Sequence, residues 1–177
     1  MELKIDDKPL QIKFNFASLK LWEEKITNEA GDKQSDREMF DQLFTGLVEK
    51  NPKMLVNVFD GGLAYLGNDK PTYPGVFDAV SDLLGEKGID QVAQDLMAEL
   101  TANGFFKASM GQWINSIKKQ MKEYDKFFKE QKPAKNASKD DKERYKQLEQ
   151  RYQILKDQSR PLLDEFEKML KDTGSTL

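Results

Sequence analysis

The spacing of hydrophobic residues changes near residue 16, and this change constrains the fold more than any other feature of the sequence. Within 3–5 and again within 10–16, apolar side chains occupy alternate positions, as in a β-strand with one buried face. From Leu19 onward they recur every three or four residues, which is typical of amphipathic helices. The sequence therefore predicts a mainly α fold: a helical domain with a short N-terminal antiparallel β-hairpin, plus a long C-terminal helix.

The register of the hairpin follows from the alternating residues. A two-residue turn at Asp6-Asp7 puts the apolar side chains of both strands on one face. The pairs predicted by this turn are Ile5 with Lys8, Leu3 with Leu10 and Met1 with Ile12. Pro9 then lies opposite Lys4 and donates no ladder hydrogen bond, as on an edge strand. The second strand is expected over 10–16. The residues expected to face the helical core are Leu3, Leu10, Ile12, Phe14 and Phe16.

Capping residues and apolar stripes predict the helices. One helix follows the hairpin directly, and Ser35 opens a capping box for the next. Asn51-Pro52 supplies the N-cap and first turn of a third helix, in which Gly61-Gly62 indicates close packing. Ser138 and Asp141 form the same kind of cap before the last helix. The other expected helices cover about 76–84, 90–103 and 106–128, and Pro161 is expected to kink or restart the last helix.

A polar stretch that contains Pro133 divides the chain. We expect residues 1–130 to form the helical domain with its hairpin, and residues 131–138 to form a linker. Residues 139–172 then form a C-terminal amphipathic helix, and residues 173–177 form a disordered tail.

The sequence contains no cysteine and no histidine, which excludes disulfides, imidazole bases and the zinc sites that need either residue. Magnesium or carboxylate chemistry remains, with Asp140-Asp141 and Asp164-Glu165 as candidates. Adjacent residues on a helix do not share a face, so we expect no catalytic, metal-binding or cofactor-binding residues. Asp60-Gly61-Gly62 and the loop at 67–70 lack the strand and the spacing of a phosphate-binding loop.

Charge is distributed unevenly along the chain. Residues 118–172 carry 16 basic and 12 acidic residues, a net charge of +4, whereas residues 1–117 carry 12 basic and 19 acidic residues, a net charge of −7. The two regions can attract each other within one molecule or between neighbours, and contacts of the second kind build rings or filaments. Solvated surfaces explain the same pattern, so both interpretations stay open.

Basic residues cluster on the long helix, but the pattern does not favour nucleic acid. Lys118, Lys119, Lys122, Lys126 and Lys129 form this cluster. Glu123, Asp125 and Glu130 interrupt it, and the whole chain is acidic, so we expect no nucleic-acid partner. The apolar runs are too short to cross a bilayer, and no basic start leads into an apolar block. We therefore expect no membrane partner and no secretory signal.

The last helix carries a regular apolar seam. The seam residues, which are also the candidate partner-binding residues, are Tyr145, Leu148, Tyr152, Leu155, Leu162, Phe166 and Met169. In one interpretation the helix folds back antiparallel on the long helix and buries the seam there. In the other, the seam binds a second copy or another helical protein. Ser159 and the two tyrosines make the seam less apolar than a run of leucines. A partner helix would therefore bind it less tightly, as a reversible contact requires.

The N-terminal pattern resembles a known family. A short strand at Leu3–Ile5, the turn at Asp6-Asp7, a strand ending at Ile12–Phe16 and a helix opening with Leu19–Trp22 resemble the tail assembly chaperones of long-tailed bacteriophages, particularly those of Gram-positive hosts. The turn departs from the Asn-Gly that is frequent in this family. The similarity in layout covers roughly the first 130 residues and includes "NGFFK" at Asn103–Lys107.

The resemblance implies a helper protein rather than an enzyme. Such chaperones hold the tape measure protein, a long helical chain that is prone to aggregate, while tail tube subunits polymerise around it. It implies three partners, namely the tape measure protein, the tail tube protein and further copies of the chain, and a location in the host bacterial cytoplasm. The alternative is a structural tail or connector protein of the virion, and a weaker one is the magnesium- or carboxylate-dependent enzyme.

Overall fold

The structure is a computed structural model that describes residues 1–30, 36–134, 136–172 and 174. The elements in chain order are β1 (Glu2–Ile5), β2 (Lys8–Gln11), α1 (Phe16–Ala30), α2 (Asp36–Val48), α3 (Pro52–Gly62), a 3-10 helix (Ala64–Asp69), α4 (Tyr73–Lys87), α5 (Ile89–Ala102), α6 (Gly104–Glu130) and α7 (Lys139–Asp172). This confirms the predicted fold class. The expected cap at Ser35 and, apart from Gly174, the expected disordered tail lie outside the described residues.

The hairpin has the predicted register. Ile5 pairs with Lys8 and Leu3 with Leu10, and the Ile12 amide donates to the Met1 carbonyl oxygen at 3.0 Å. Asp6 and Asp7 take positive φ values of 48° and 61°, the conformation that a tight two-residue hairpin turn requires. The turn therefore forms without glycine.

The end of the second strand differs from the prediction. β2 ends at Gln11 rather than Phe16, and residues 12–15 lead into α1. Ile12 and Phe14 still face the core, but Phe16 is 75% exposed, so its predicted core position is wrong. The reason is that α1 already begins at Phe16, where the Asn15 side chain accepts from the Ala17 amide at 2.8 Å, and the alternation of the strand no longer applies.

Helices α1 and α3 pack closely against each other in the hydrophobic core. Trp22 is fully buried, and its indole N–H donates to the Asn57 carbonyl oxygen at 2.8 Å. A Cβ atom on Gly61 would lie 2.1 Å from that indole nitrogen, and one on Gly62 would lie 2.4 Å from a methyl group of Ile12. The predicted close approach at Gly61-Gly62 is confirmed.

The middle helices form with small shifts. Asn51 caps α3 as predicted, by accepting from the Met54 amide at 3.2 Å. α4 begins at Tyr73 rather than near residue 76, since Thr72 caps it, and it continues through Gly85 to Lys87. Gly88, with φ of 80°, separates α4 from α5, which begins at Ile89 rather than near residue 90.

Helix α7 runs antiparallel to α6 and joins the core. Phe166 is fully buried, with ring centroids 5.0 Å from Trp113 on α6 and 6.2 Å from Phe44 on α2. The Ser138 hydroxyl accepts from the Asp141 amide at 3.1 Å, which confirms the predicted cap. α7 continues through Pro161, so the helix does not restart there.

The outer parts of α6 and α7 form a two-helix projection that we call the arm, defined as residues 118–160. Tyr152 is the one buried residue among the described residues of the arm. The described residues of 1–30, 36–117 and 161–172 contain the hydrophobic core and are called the body. At the base of the arm, Lys118 forms an ion pair with Glu167.

Candidate interaction surfaces

The arm is held together by aromatic rings and one hydrogen-bonded cluster. The Phe128 ring stacks on Tyr152 at 4.8 Å and meets the edge of Tyr145 at 5.9 Å. The Tyr152 hydroxyl donates to the Asp125 carboxylate at 2.7 Å, and the Lys156 ammonium group pairs with the same carboxylate at 3.0 Å. These contacts fix the register between α6 and α7.

The same cluster shifts two pKa values. Hydrogen bonds from Tyr152 and Lys156 lower the pKa of Asp125 below its ordinary value. Burial, followed by the hydrogen bond to Asp125, raises the pKa of Tyr152 to about 12. The folded arm thus favours the neutral phenol beside the charged carboxylate.

Replacing Tyr152 by phenylalanine tests this cluster. We expect the free energy of unfolding to fall by about 1 kcal/mol, because Asp125 loses a hydrogen bond. A raised pKa gives stability that is present below the ordinary value near 10 and is lost as pH rises toward 12, so Tyr152→Phe also removes that loss. Urea unfolding between about pH 8 and 11 measures both effects.

Tyr124→Phe is the matched control, since the Tyr124 hydroxyl has no hydrogen bond in the described part of the chain. If the two variants show the same stability at every pH, the Tyr152 hydroxyl does not stabilise the arm.

A shallow apolar groove runs along one side of the arm. Its lining residues are Ile117, Gln120, Met121 and Tyr124 from α6, with Tyr152, Leu155, Lys156 and Ser159 from α7. Tyr124 is 38% exposed and Leu155 is 49% exposed. Leu148, which is 47% exposed, lies one to two turns toward the tip of the arm, beside Arg144 and Arg151. The two helices therefore leave part of their apolar surface uncovered.

The structure distributes the seven predicted seam residues among three environments. Phe166 and Met169 are buried against the body, where Leu162 is half-buried. Tyr152 is buried and Tyr145 half-buried against α6. Leu148 and Leu155 are about half exposed. Partner binding by this set stays a prediction, for which the two leucines offer the accessible surface.

The apolar spacing of the sequence does not predict several other exposed apolar side chains. Ile154 is 57% exposed and lies off the seam. The sequence signal for such a residue is an apolar side chain that falls outside the three-four spacing. Phe127 on the arm is 45% exposed. On the body, Phe16 packs against Phe105, with ring centroids 5.5 Å apart, and both rings reach the surface.

The buried carboxylate of Asp60 has a structural explanation. Asp60 is fully buried and forms ion pairs with Lys25, at 2.7 Å, and with Lys70. Lys25 also lies over the Tyr73 ring, 3.7 Å from its centroid. The ion pair with Lys70 ties the loop before α4 to α3, so the Asp60-Gly61-Gly62 segment joins helices rather than presenting a binding loop.

Metal-binding clusters and membrane-spanning helices are both absent from the described part of the chain. Among the described residues, no group of three or more acidic side chains is placed to hold a metal ion. No helix in the described ranges is long and apolar enough to span a membrane.

Comparison with known proteins identifies one family. The family model described as "Phage tail assembly chaperone protein, TAC" matches residues 2–115, which is more than half of the 177-residue chain. The match covers the hairpin, α1 to α5 and the first part of α6. No curated protein and no solved structure shows significant similarity to the chain.

Proposed function

The chain belongs to the phage tail assembly chaperone family, and on that premise we propose that it oligomerises and holds the tape measure protein while tail tube subunits polymerise around it. Its partners are then the tape measure protein, the tail tube protein and further copies of itself. The place of action is the host bacterial cytoplasm. The pattern of the first 22 residues supports a long-tailed phage of a Gram-positive host.

The uncovered groove on the arm is the observation that carries this proposal. Two packed helices with a groove between them accept a third helix, whose apolar face covers both. Between about a third and a half of the surface remains exposed on Tyr124 and Leu155, which line the groove, and on Leu148, which lies one to two turns toward the tip of the arm. A tape measure protein is a long helical client and offers many amphipathic segments of this kind.

The size of the groove suits reversible holding. Apolar surface contributes about 25 cal/mol for each Å² removed from water, so covering three partly exposed side chains gives weak binding at one site. When many arms bind one long client, their weak contacts combine through avidity. Each single contact still opens easily when a tail tube subunit arrives. In this arrangement Phe166 and Met169 anchor α7 to the body, and Leu148 and Leu155 contact the client.

A paired substitution tests the groove. We expect Leu148→Gln combined with Leu155→Gln to lose most of the client-holding activity, because polar amides replace the apolar contacts. The tape measure protein of the same phage is co-expressed with each variant, and its soluble fraction is measured after centrifugation.

Ile154→Gln is the matched control, because Ile154 is at least as exposed but lies off the seam that contains Leu148 and Leu155. We expect it to keep the client as soluble as the wild type does. Full client solubility with the double variant would show that the groove is not the client site. Failure of the wild-type chain itself to keep the client soluble would contradict the chaperone function, and recovery of the polypeptide in purified virions would favour a structural tail protein.

A further inference from the structure

The arm and the body carry opposite charges. Residues 118–160 contain 14 basic and 8 acidic residues, a net charge of +6. The rest of the chain contains 28 − 14 = 14 basic and 31 − 8 = 23 acidic residues, a net charge of −9. The division falls where the buried core ends, so the charge separation follows the architecture and not only the sequence.

One edge of the arm concentrates positive charge. Lys122, Lys126 and Lys129 lie along the outer side of α6, and all three are exposed. Lys126 lies 3.7 Å from Glu130, whereas Lys122 and Lys129 form no ion pair within the described residues. We call these three lysines the lysine edge.

One edge of the body presents the complementary charge. Asp78, Asp82 and Glu86 follow each other at intervals of four residues on α4, and all are exposed. None of the three forms an ion pair in the described part of the chain. We call these three acidic residues the acidic edge.

The two edges match in length and composition. At a rise of about 1.5 Å per residue, the lysine edge spans about 10 Å and the acidic edge about 12 Å. Each edge is a row of three charges of one sign, so a contact between the edges pairs opposite charges along its length. Because the ion pairs described within the chain do not join these edges, both are available to another molecule.

We propose that the lysine edge of one copy docks on the acidic edge of a second copy, so that the two rows of opposite charge pair along their length. This proposal rests on the self-association included in the proposed function and names its surfaces. The two surfaces differ, so each docked copy still presents a free lysine edge or a free acidic edge. Such a head-to-tail contact closes into a ring or continues as a filament.

The contact leaves the client groove open. The groove lining includes Lys156 but none of the three lysines of the lysine edge, which lie on another side of α6. Successive copies would therefore present a row of grooves to one long helical client, which is the geometry that avidity requires.

Charge reversal provides the test. One variant carries Lys122→Glu, Lys126→Glu and Lys129→Glu, and the other carries Asp78→Lys, Asp82→Lys and Glu86→Lys. Each variant alone then opposes like charges at the contact, so we expect its association to weaken by about tenfold or more. An equal mixture restores opposite charges at every contact, and we expect assemblies of wild-type size. Light scattering and sedimentation at low salt measure the masses, and circular dichroism checks that both variants fold.

The outcomes separate this inference from the proposed function. Association of the wild type that weakens in about 0.5 M salt, is lost in each variant and returns in the mixture supports the docking. Unchanged association of the single variants, or no recovery in the mixture, overturns it while self-association stands. A wild type that stays monomeric at all concentrations overturns the self-association itself. If the lysine-reversal variant loses client solubility without any loss of association, the lysine edge binds the client and not a second copy.

Discussion

Replacing Phe166 by alanine is expected to lower the free energy of unfolding by about 3–5 kcal/mol, the cost of removing a fully buried aromatic ring from a packed core. Phe166 joins three helices: its ring lies 5.0 Å from that of Trp113 on α6 and 6.2 Å from that of Phe44 on α2. Loss of the ring leaves a cavity where α7 meets the body. Urea unfolding followed by circular dichroism measures the change.

Leu155→Ala is the control on the same helix. Leu155 is 49% exposed, so its truncation removes fewer contacts, and we expect a loss below about 1 kcal/mol. If Phe166→Ala costs no more than Leu155→Ala, α7 is not part of the cooperatively folded core. The comparison thus also tests the predicted division into a domain at 1–130 and a separate C-terminal helix at 139–172.

Local rules explain why the hairpin could be predicted residue by residue. The alternation of apolar residues allows one register, and a shift of one residue would turn Leu3 and Ile5 toward solvent. The caps at Asn51 and Ser138 are equally local, since each side chain accepts from an amide three residues on. The chain therefore specifies these features before any tertiary contact forms.

Two helix caps that the apolar spacing does not reveal explain the predictions that failed. Phe16 continues the alternation in the sequence, but the Asn15 cap starts α1 at that point and leaves the ring exposed. The start of α4 at Tyr73 depends on the Thr72 cap, whose hydroxyl accepts from the Gly75 amide at 3.4 Å. Proline and glycine are common in loops, but Pro74 fits the first turn of this helix.

The seam of α7 shows the limit of periodicity in predicting a site. Leu155 and Phe166 occupy equivalent positions in the three-four pattern, yet one is half exposed and the other fully buried. The difference depends on where the body ends beside α7, which is a property of the whole fold. Periodicity therefore identifies the apolar face of the helix but not the part of that face that is accessible to a partner.

Replacing Gly61 by alanine is expected to lower the free energy of unfolding by about 3 kcal/mol or more, although it adds a single methyl group. The new Cβ atom would lie 2.1 Å from the Trp22 indole nitrogen and 2.4 Å from the adjacent ring carbon, so the ring has to move. Trp22 is fully buried, and its movement breaks the 2.8 Å hydrogen bond to Asn57. Overpacking of the core and the unsatisfied indole N–H then both lower the free energy of unfolding.

The matched control for Gly61→Ala is Gly85→Ala in α4, where an added Cβ atom would meet nothing within 4 Å. Replacing a helical glycine in open space by alanine should raise the free energy of unfolding by about 0.5–1 kcal/mol, because the unfolded chain loses backbone freedom. The two substitutions are chemically identical and are expected to have opposite signs in urea unfolding. Equal effects would mean that α1 and α3 do not approach each other as closely as Gly61 permits. Opposite effects would place the close approach at Gly61 and account for the paired glycines at the end of α3.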